Sequence, residues 1–213
     1  MRVPEMEGRT AHWYARQRGS ASQLAEFRRQ AADLTRDVPA GAAILEVAPG
    51  PGYHAIELAR LGHRVTGLDI SRTMVEIATE RARRDRVAVD FRHGDATAMP
   101  FPDGGFDLIV CQAAFKNFLD PVAALNEMHR VLRPGGTAVI QDLNAEATRA
   151  ELADEVRRMR LRPLNALATR FTLGWLRRRA HPAAEFRRLA AASAFGDCVI
   201  DLEGVGVEVR LRS

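Results

Sequence analysis

Residues 46–52, Glu46-Val-Ala-Pro-Gly-Pro-Gly52, decide the fold, because they link a short apolar run to a segment with helical spacing. The run at residues 44–47 reads as a buried strand, and residues 53–61 read as a helix that Gly62 ends. In an open α/β sheet, ligands bind at the carboxyl ends of the strands. Glycines let the backbone approach a ligand there, and the free N–H groups of the next helix suit an anionic group. The stretch therefore predicts a binding loop, with a plain strand-to-helix turn as the alternative.

Strand-like and helix-like segments continue to alternate as far as about residue 141. Four further strands are predicted, at residues 65–69, 87–91, 106–111 and 137–141. Ser71 and Asp120 are suited to cap the helices between them, and Pro121 fits a first helical position. Alternation of this kind predicts a parallel sheet with helices on both faces.

The C-terminal third of the chain follows a different pattern. Residues 146–194 read as helical and Arg-rich, with breaks at Pro163 and Pro182. Two last strands are predicted at residues 198–202 and 205–211. No internal repeat or linker divides the chain, so we predict a single domain.

Length and composition restrict the class of protein. The chain has 213 residues, 46% of them apolar and 27% charged, which is typical of one globular domain. No apolar run approaches the roughly 18 residues of a membrane span, and the N-terminus lacks the apolar stretch of a signal peptide, so we expect a cytoplasmic protein. Cys111 and Cys198 exclude a disulfide framework, and neither has the neighbours of a zinc site, so no metal is predicted.

The basic charge is weak evidence for nucleic-acid binding. Lys and Arg total 31 against 27 acidic residues, but Lys116 is the only lysine, which indicates an Arg-favouring genome. The arginines also alternate with acids, as in residues 80–86, a pattern typical of solvated helix surfaces. We therefore expect no nucleic-acid partner.

Residues 50–55 also fit the loose G-x-G-x-x-A fingerprint of dinucleotide sites. Pro49 and Pro51, however, remove two N–H donors from a loop that would hold a pyrophosphate. The carboxylate of Glu46 repels phosphate but suits an ammonium or sulfonium cation. The Tyr-x-x-x-Lys pair of short-chain reductases is absent around the single lysine. A ligand without phosphate is therefore favoured.

Acidic residues after the next two strands suit an adenosine. Asp69 ends the second strand, where its carboxylate can accept from both hydroxyls of an unphosphorylated ribose. Asp95 follows the third strand and can accept from an adenine amino group, while Ala96 offers a backbone N–H.

Together with residues 99–107 and 132–136, these motifs resemble the class I S-adenosylmethionine (SAM)-dependent methyltransferases, in particular the ubiquinone/menaquinone-biosynthesis-like (methyltransferase type 11) group, over about residues 40–142. The resemblance implies a Rossmann-like three-layer α/β sandwich, whose seven-stranded, mostly parallel sheet ends in an antiparallel hairpin. The single domain would then comprise four parts: an N-terminal helical cap (1–40), a SAM-binding core (41–142), a helical insertion or lid after strand 5 (143–195) and C-terminal strands (196–213). SAM is the implied cofactor and S-adenosyl-L-homocysteine the product.

The resemblance also implies a role for each motif residue. By this resemblance, Glu46 and the loop residues Ala48, Pro49, Gly50 and Gly52 would hold the amino-acid end of SAM, and Asp69 would hold the ribose. Ile70 and Met74 would flank the adenine, with Asp95 and Ala96 at its edge. Cys111 and Gln112 would lie near the methionine portion. The usual loop has a glycine in place of Ala48, and the prolines stiffen it. For Ile70 and Met74, core packing is an equal alternative.

Methyl transfer is an in-line displacement that positioning alone can accelerate by about 7–11 kcal/mol, so the family has no fixed catalytic constellation. Lys116 is the first candidate, as a base or as a holder of an anionic acceptor, with a plain surface residue as the alternative. His12 and Tyr14 are further candidates, on an N-terminal helix that closes over the cofactor or that packs Trp13. Residues 161–176 are apolar at helical spacing, which is typical of a helix packed in the core. The alternatives are a helix that covers the acceptor pocket or one that contacts a membrane.

We therefore predict a SAM-dependent methyltransferase (EC 2.1.1.-) that acts on a small organic acceptor. A nucleic-acid (rRNA/tRNA) methyltransferase is an alternative that loses ground, because the Asn/Asp-Pro-Pro-aromatic motif is absent after the fourth strand, where residues 111–115 stand. A non-catalytic SAM-binding regulatory module is a second alternative, since catalysis by positioning leaves no diagnostic residues.

Overall fold

The computed structural model describes residues 6–159 and 163–213, apart from the side chains of residues 163, 164 and 168. Within these ranges one sheet contains β1 (Ala43–Val47), β2 (Arg64–Asp69), β3 (Asp90–His93), β4 (Phe106–Gln112), β5 (Leu132–Leu143), β6 (Val199–Glu203) and β7 (Gly206–Arg212). The strand order is β3-β2-β1-β4-β5-β7-β6. The first five strands are parallel, and β7 is antiparallel to both of its neighbours. The predicted sheet with its C-terminal antiparallel hairpin is confirmed.

The helices are α1 (Gly8–Gln17), α2 (Ala21–Leu34), α3 (Tyr53–Arg60), α4 (Arg72–Asp85), α5 (Pro121–Val131), α6 (Arg149–Arg158), α7 (Pro163–Arg177) and α8 (Ala183–Ala191), with a short 3₁₀ turn at Phe115–Asn117. Two of the helix starts follow the predicted caps. The Ser71 hydroxyl accepts from the N–H of Met74 at 3.0 Å, and the Asp120 carboxylate accepts from the N–H of Ala123 at 2.9 Å. These bonds satisfy N–H groups that a helix leaves unpaired at its start.

Apolar side chains cover both faces of the sheet. On one face Leu125 and Met128 of α5 and Phe186 of α8 join a core cluster with the central strands. On the other face α2 and α3 supply Leu34 and Leu58 to a second cluster. β1 is buried along its whole length, as expected for the centre of a parallel sheet. The result is the three-layer arrangement that the alternation predicts.

Two predicted boundaries were wrong. The third strand was predicted at residues 87–91 but begins at Asp90, because Arg86 ends α4 in a left-handed conformation and the chain needs residues 87–89 to reach the sheet. The fifth strand was predicted at residues 137–141 but starts at Leu132, directly after α5. Its pairing with β4 shifts register between Leu132 and Thr137, where the Pro-Gly-Gly stretch forms a bulge and adds residues to the strand.

The order of the strands fixes where a ligand can bind. β1 and β4 are neighbours, but the chain leaves β1 towards β2 on one side and leaves β4 towards β5 on the other. The loops after these two strands therefore part and leave a crevice at the carboxyl edge of the sheet. Among the described residues, no helix is long and apolar enough to cross a membrane.

Candidate active site

A cavity of about 600 Å³, the main cavity, lies at the carboxyl ends of β1, β2 and β4. Most residues predicted to contact the cofactor line it, namely Glu46, Ala48, Pro49, Gly50, Asp69, Ile70, Met74, Asp95, Ala96 and Gln112, together with the catalytic candidate Tyr14. Gly52, Cys111, His12 and Lys116 are not among the described residues that line it. Thus the fold brings motifs that are up to 98 residues apart in the chain, from Tyr14 to Gln112, around one space.

The loop after β1 turns sharply through three residues in the left-handed region. The φ angles are 58° at Ala48, 54° at Gly50 and 77° at Gly52. A Cβ built on Gly52 would lie 2.7 Å from the ring of Phe91 and 2.8 Å from the Cβ of Ala78, so packing requires glycine there. A Cβ built on Gly50 would meet nothing within 4 Å. Gly50 therefore borders open space in the main cavity, whereas Gly52 fixes the start of α3.

Asp69 connects this loop to the end of β2. Its Oδ2 accepts from the N–H of Gly50 and its Oδ1 from the N–H of Ser71, both at 2.9 Å. The side chain is almost buried, and this burial raises the pKa of the Asp69 carboxyl, an effect that the two N–H bonds oppose and the charges of Glu46 and Glu7 reinforce. Each oxygen keeps a second lone pair. The carboxylate can therefore accept two more hydrogen bonds from a ligand in the cavity.

Glu46 and His54 form a buried polar pair in the same wall. The distance from His54 Nδ1 to Glu46 Oε1 is 3.3 Å, and both side chains are almost fully buried. Among the described residues, Glu46 Oε2 and both ring nitrogens of His54 have no hydrogen-bond partner. Buried polar atoms are nearly always paired in native proteins, so these atoms mark a place for a polar ligand group. The free oxygen of Glu46 suits a hydrogen-bond donor such as a ligand ammonium group.

Sequence reasoning gave His54 no part in the site. It lies in the first turn of α3, directly after the binding loop, and lines the main cavity together with Glu46. Its position two residues after Gly52 is the signal that could have found it, because side chains at the start of this helix border the ligand crevice.

The far end of the cavity is more open. Asp95 is exposed, and its Oδ1 accepts from both the N–H and the hydroxyl of Thr97, at 2.8 and 2.9 Å. Ile70 is also exposed, while Met74 is buried in the α4 face that packs on the sheet. An exposed isoleucine at the mouth of a cavity and a buried methionine behind it form an apolar slot that suits a flat ring.

Lys116 forms a buried ion pair and does not point freely into the site. Its Nζ lies 2.7 Å from Asp142 Oδ1, and the exposed fractions of the two side chains are 6% and 2%. The same ammonium donates to the carbonyl of Ala113, which has a left-handed φ of 54°. Lys116 therefore holds the sharp bend after β4 in place.

The remaining candidates lie in different surroundings. His12 and Trp13 are exposed on α1, so this helix does not pack Trp13 into the core. Tyr14 is half-buried and reaches the main cavity. Cys111 is fully buried in the apolar core, and burial raises the pKa of its thiol, which keeps the thiol protonated. The structure thus brings one of the three catalytic candidates, Tyr14, to the cavity wall.

A second cavity of about 450 Å³, the side cavity, opens beside Gln112 and Ala113, which line both spaces. A chain of amide groups forms part of its wall. Gln112 Nε2 donates to Gln30 Oε1 at 3.2 Å and to Gln141 Oε1 at 2.7 Å, and Gln141 Nε2 donates to Glu208 Oε2 at 2.8 Å. The chain therefore ties α2, β4, β5 and β7 together next to the main cavity.

The side cavity is rich in acidic groups. Its lining includes Asp142, Asp201, Glu203 and Glu208 against one arginine, Arg18. Sequence reasoning missed Gln30 and the three acidic residues after position 200, because their contribution depends on how distant elements pack. Of the described residues in 143–195, Leu143 alone lines this cavity, so the roof over the acceptor stays a prediction for that segment. In the part of the chain that the structure describes, no group of acidic, His or Cys side chains is arranged to hold a metal.

The strand order, the crevice between β1 and β4 and the carboxylates at the ends of β1 and β2 define the class I methyltransferase fold. Residues 45–140 match the family described as methyltransferase domain. Over these residues the chain is similar to this family of methyltransferase domains, so the resemblance read from the sequence is confirmed there.

Particular relatives agree with this assignment. A demethylmenaquinone methyltransferase from Thermus thermophilus is 40% identical over 116 residues, which are 54% of this chain and 52% of the relative. The chain thus spans about half the length of the curated relatives it matches. A SAM-dependent methyltransferase from Aquifex aeolicus has the same fold, with a TM-score of 0.71, 17% identity and coverage of 94% of this chain and 97% of that chain.

A third similar structure belongs to a protein with a different named activity. The [4+2]-cyclase SpnF is 28% identical, with a TM-score of 0.54, over 57% of this chain and 46% of that chain. The fold is therefore compatible with chemistry other than methyl transfer, and the residues of the site determine the activity.

Proposed function

We propose that the protein is a cytoplasmic enzyme that binds SAM in the main cavity and transfers its methyl group to a small molecule in the side cavity. The observation that carries this proposal is the buried Glu46–His54 pair with unpaired polar atoms, opposite the half-satisfied carboxylate of Asp69. A cationic group at the first site and a pair of hydroxyls at the second would satisfy both. SAM contains both groups, the ammonium on its amino-acid portion and the hydroxyl pair on its ribose.

The residues of the main cavity each have a task in holding this cofactor. Glu46 accepts hydrogen bonds from the ammonium and Asp69 from the ribose hydroxyls. The backbone at Ala48 and Gly50 lies along the part of SAM that joins its ammonium to its ribose. At the adenine, Ile70 and Met74 flank the ring. Asp95 and the N–H of Ala96 meet its edge, and Gln112 lies near the methionine portion. These assignments extend the sequence predictions by adding His54 beside Glu46.

When bound, SAM supplies an electrophilic methyl group on a positively charged sulfur, which becomes the neutral thioether of S-adenosyl-L-homocysteine. The chain contributes position. Gln112 borders both cavities, and its hydrogen bonds to Gln30 and Gln141 fix the boundary at which donor and acceptor meet. Holding reacting groups in line is worth about 7–11 kcal/mol of the barrier. The carboxylates of Asp201 and Glu203 can accept a proton that the acceptor loses.

We further propose a quinone-type acceptor, since the Thermus relative is a demethylmenaquinone methyltransferase. Oxygen substituents on the ring would exchange hydrogen bonds with the amide groups of Gln30 and Gln141. The ring would pack on Phe27, which lines both cavities. An acceptor of this kind is polar at its ring and apolar in its tail, so the tail would extend from the open side of the cavity.

The test combines binding with turnover. Calorimetry should show SAM binding, and incubation with methyl-labelled SAM and a demethylated quinol should give a product heavier by one labelled methyl group by mass spectrometry. A cell metabolite extract under the same conditions searches for other acceptors. Absence of SAM binding would refute the site. Binding without consumption of SAM by quinol or extract would favour a SAM-binding module or an enzyme of another activity, such as the [4+2]-cyclase SpnF.

A further inference from the structure

Positive charge is concentrated in one segment of the chain. Residues 156–184 contain eight arginines and no acidic residue. The other positions hold 23 basic residues against 27 acidic ones, because eight of the 31 basic residues lie in this segment. The segment therefore carries +8 and the rest of the chain −4, with His neutral, so the overall charge of +4 hides two regions of opposite sign. A charge asymmetry of this size indicates an anionic partner.

Arg157 and Arg158 pair with Asp154 and Glu155 on α6, but three other arginines of this segment differ from those of other helices in their partners. On α4 and α8, Arg83 pairs with Glu80 and Arg188 with Glu185, each one turn apart. Arg170, Arg178 and Arg179 have no such carboxylate within ion-pair distance among the described residues. The guanidinium of Arg179 lies 5.0 Å from the centre of the Trp175 ring. These cations are thus free to meet charges outside the molecule.

The same helix exposes a row of large apolar side chains. Leu167, Phe171 and Trp175 follow each other at intervals of four residues, which places them on one face of α7. Their exposed fractions are 54%, 73% and 55%. α7 packs mainly against α6, and Arg177 anchors its end by donating to the carbonyl of Ala147. Contiguous exposed apolar surface of this kind marks an interaction site.

We propose that this face of α7 binds the surface of an anionic lipid bilayer. The helix lies in the plane of the interface, with Phe171 and Trp175 among the upper acyl chains and Arg178 and Arg179 at the headgroup phosphates. A row of Leu, Phe and Trp favours lipid over nucleic acid, because an aliphatic side chain such as Leu167 is stabilised when it moves from water into an apolar medium. The proposal goes beyond methyl transfer and does not depend on it. A lipid-soluble acceptor would reach the enzyme from the same surface.

Vesicle binding tests the proposal with the full chain. Sedimentation with vesicles of phosphatidylcholine and phosphatidylglycerol should capture the protein, and vesicles of phosphatidylcholine alone should capture at least tenfold less. Phe171→Ser/Trp175→Ser and Arg178→Gln/Arg179→Gln should each lower binding at least tenfold. The matched control for charge is Arg83→Gln/Arg84→Gln on α4, and the control for exposed apolar surface is Val199→Ser on β6, where the side chain is 71% exposed. Both controls should bind like the parent chain.

Fluorescence gives a second readout. The chain has two tryptophans, so Trp13→Phe leaves Trp175 as the single reporter. Its emission should shift to shorter wavelength with anionic vesicles and stay constant with neutral ones. SAM binding should be unchanged in every α7 variant, since no described α7 residue lines either cavity, and this shows that the variants fold.

Three outcomes would overturn the proposal. The first is equal binding of parent and α7 variants to anionic vesicles. The second is an unshifted Trp175 emission in the bound protein. The third is that the protein does not bind vesicles and has another partner for this face. That partner would be a duplex or single-stranded nucleic acid that captures the protein, or a second copy of the chain in a self-association that the Phe171→Ser/Trp175→Ser variant abolishes. The third result would assign the face to a nucleic acid or to a second copy of the chain.

Discussion

Replacing Asp69 by alanine gives the most direct test of the SAM assignment. The carboxylate is almost buried at the end of β2, and each of its oxygens already accepts from one backbone N–H, of Gly50 or Ser71. The remaining lone pairs are the acceptors that we assign to the ribose hydroxyls. Asp69→Ala removes them and leaves space for water, so the hydroxyls lose charged partners but not all hydrogen bonding.

The size of the effect follows from the number of bonds. A hydrogen bond to a charged group contributes about 1.5–3 kcal/mol, and about 1.4 kcal/mol corresponds to a tenfold change in Kd. Loss of one such bond at the lower value raises Kd about tenfold, and loss of two raises it about 150-fold. We therefore expect the Kd for SAM to rise within this range.

The assay is titration calorimetry of SAM into each variant after thermal unfolding has shown that the variant is folded. Asp69→Asn keeps an acceptor for one backbone N–H and separates loss of the charge from collapse of the loop. The matched control is Asp90→Ala at the start of β3, where the carboxylate is exposed and pairs with Arg92. An Asp69→Ala protein that is folded and binds SAM with the parent Kd would refute the reasoning.

The raised pKa of Asp69 adds a pH dependence with a definite sign. Burial favours the neutral carboxyl, so protonation begins at a higher pH than for an ordinary aspartate. The ionised form is the stronger acceptor, and SAM affinity should therefore be constant above this raised pKa while the ammonium of SAM stays protonated, and should fall as the pH decreases through the pKa of Asp69. Binding measured near that pKa should release a proton. Asp69→Asn should lack both effects, and a pH profile that matches that of the parent protein would exclude Asp69 as their source.

Three further substitutions test the loops. Ala48→Gly should raise the free energy of unfolding by about 1 kcal/mol, because a left-handed L-residue costs about 1–2 kcal/mol; a lower value in urea titration would contradict the strain. Gly52→Ala should lower it by about 1–3 kcal/mol through the contact with Phe91, and an unchanged midpoint would show that the ring moves aside. Lys116→Met should lower it by about 3–5 kcal/mol by leaving Asp142 buried without its partner, and adding Asp142→Asn should recover much of the loss; equal losses in the single and double variants would contradict the ion-pair explanation.

Features that depend on local chemistry were predictable from the sequence. Ser71 and Asp120 cap helices as expected, because a cap needs only a short acceptor side chain before the helix. The third strand was misplaced, because the apolar residues 87–89 look like a strand but serve as the connection to an edge strand. Their apolar character has another use, since Val89 packs on the core cluster beneath α3. Periodicity alone does not separate these cases.

The site divides along the same line. Glu46, Asp69 and Asp95 were found because each lies within two residues of the carboxyl end of a parallel strand, and such ends meet at one edge of the sheet. Gln30 and Glu208 were not found, since one lies on α2 and the other on an antiparallel strand near the C-terminus. Lys116 was singled out by its rarity, and rarity did not reveal that Asp142 would bury it.

Backbone strain points to the same crevice independently of side-chain chemistry. Of the non-glycine residues with positive φ in the described ranges, Ala48 and Ala113 both lie in the wall of the main cavity. They follow β1 and β4, the two strands at which the sheet changes direction. Each strained residue is held by its neighbours: the N–H of Ala48 donates to the carbonyl of Leu68 at 2.8 Å, and the N–H of Ala113 donates to that of Gln141 at 2.7 Å.

Strain of this kind persists only where the surrounding structure fixes it, and it collects at binding sites. Glycine would adopt the same angles at no steric cost but would also leave the loop more freedom before the ligand arrives. Ala48 and Ala113 are each restricted to one conformation, and this keeps the loops after β1 and β4 turned away from each other. The crevice between β1 and β4 is then open before SAM binds, and less of the binding energy is used to order it. The strain at Ala48 and Ala113 is therefore best understood as the cost of a preformed cofactor site.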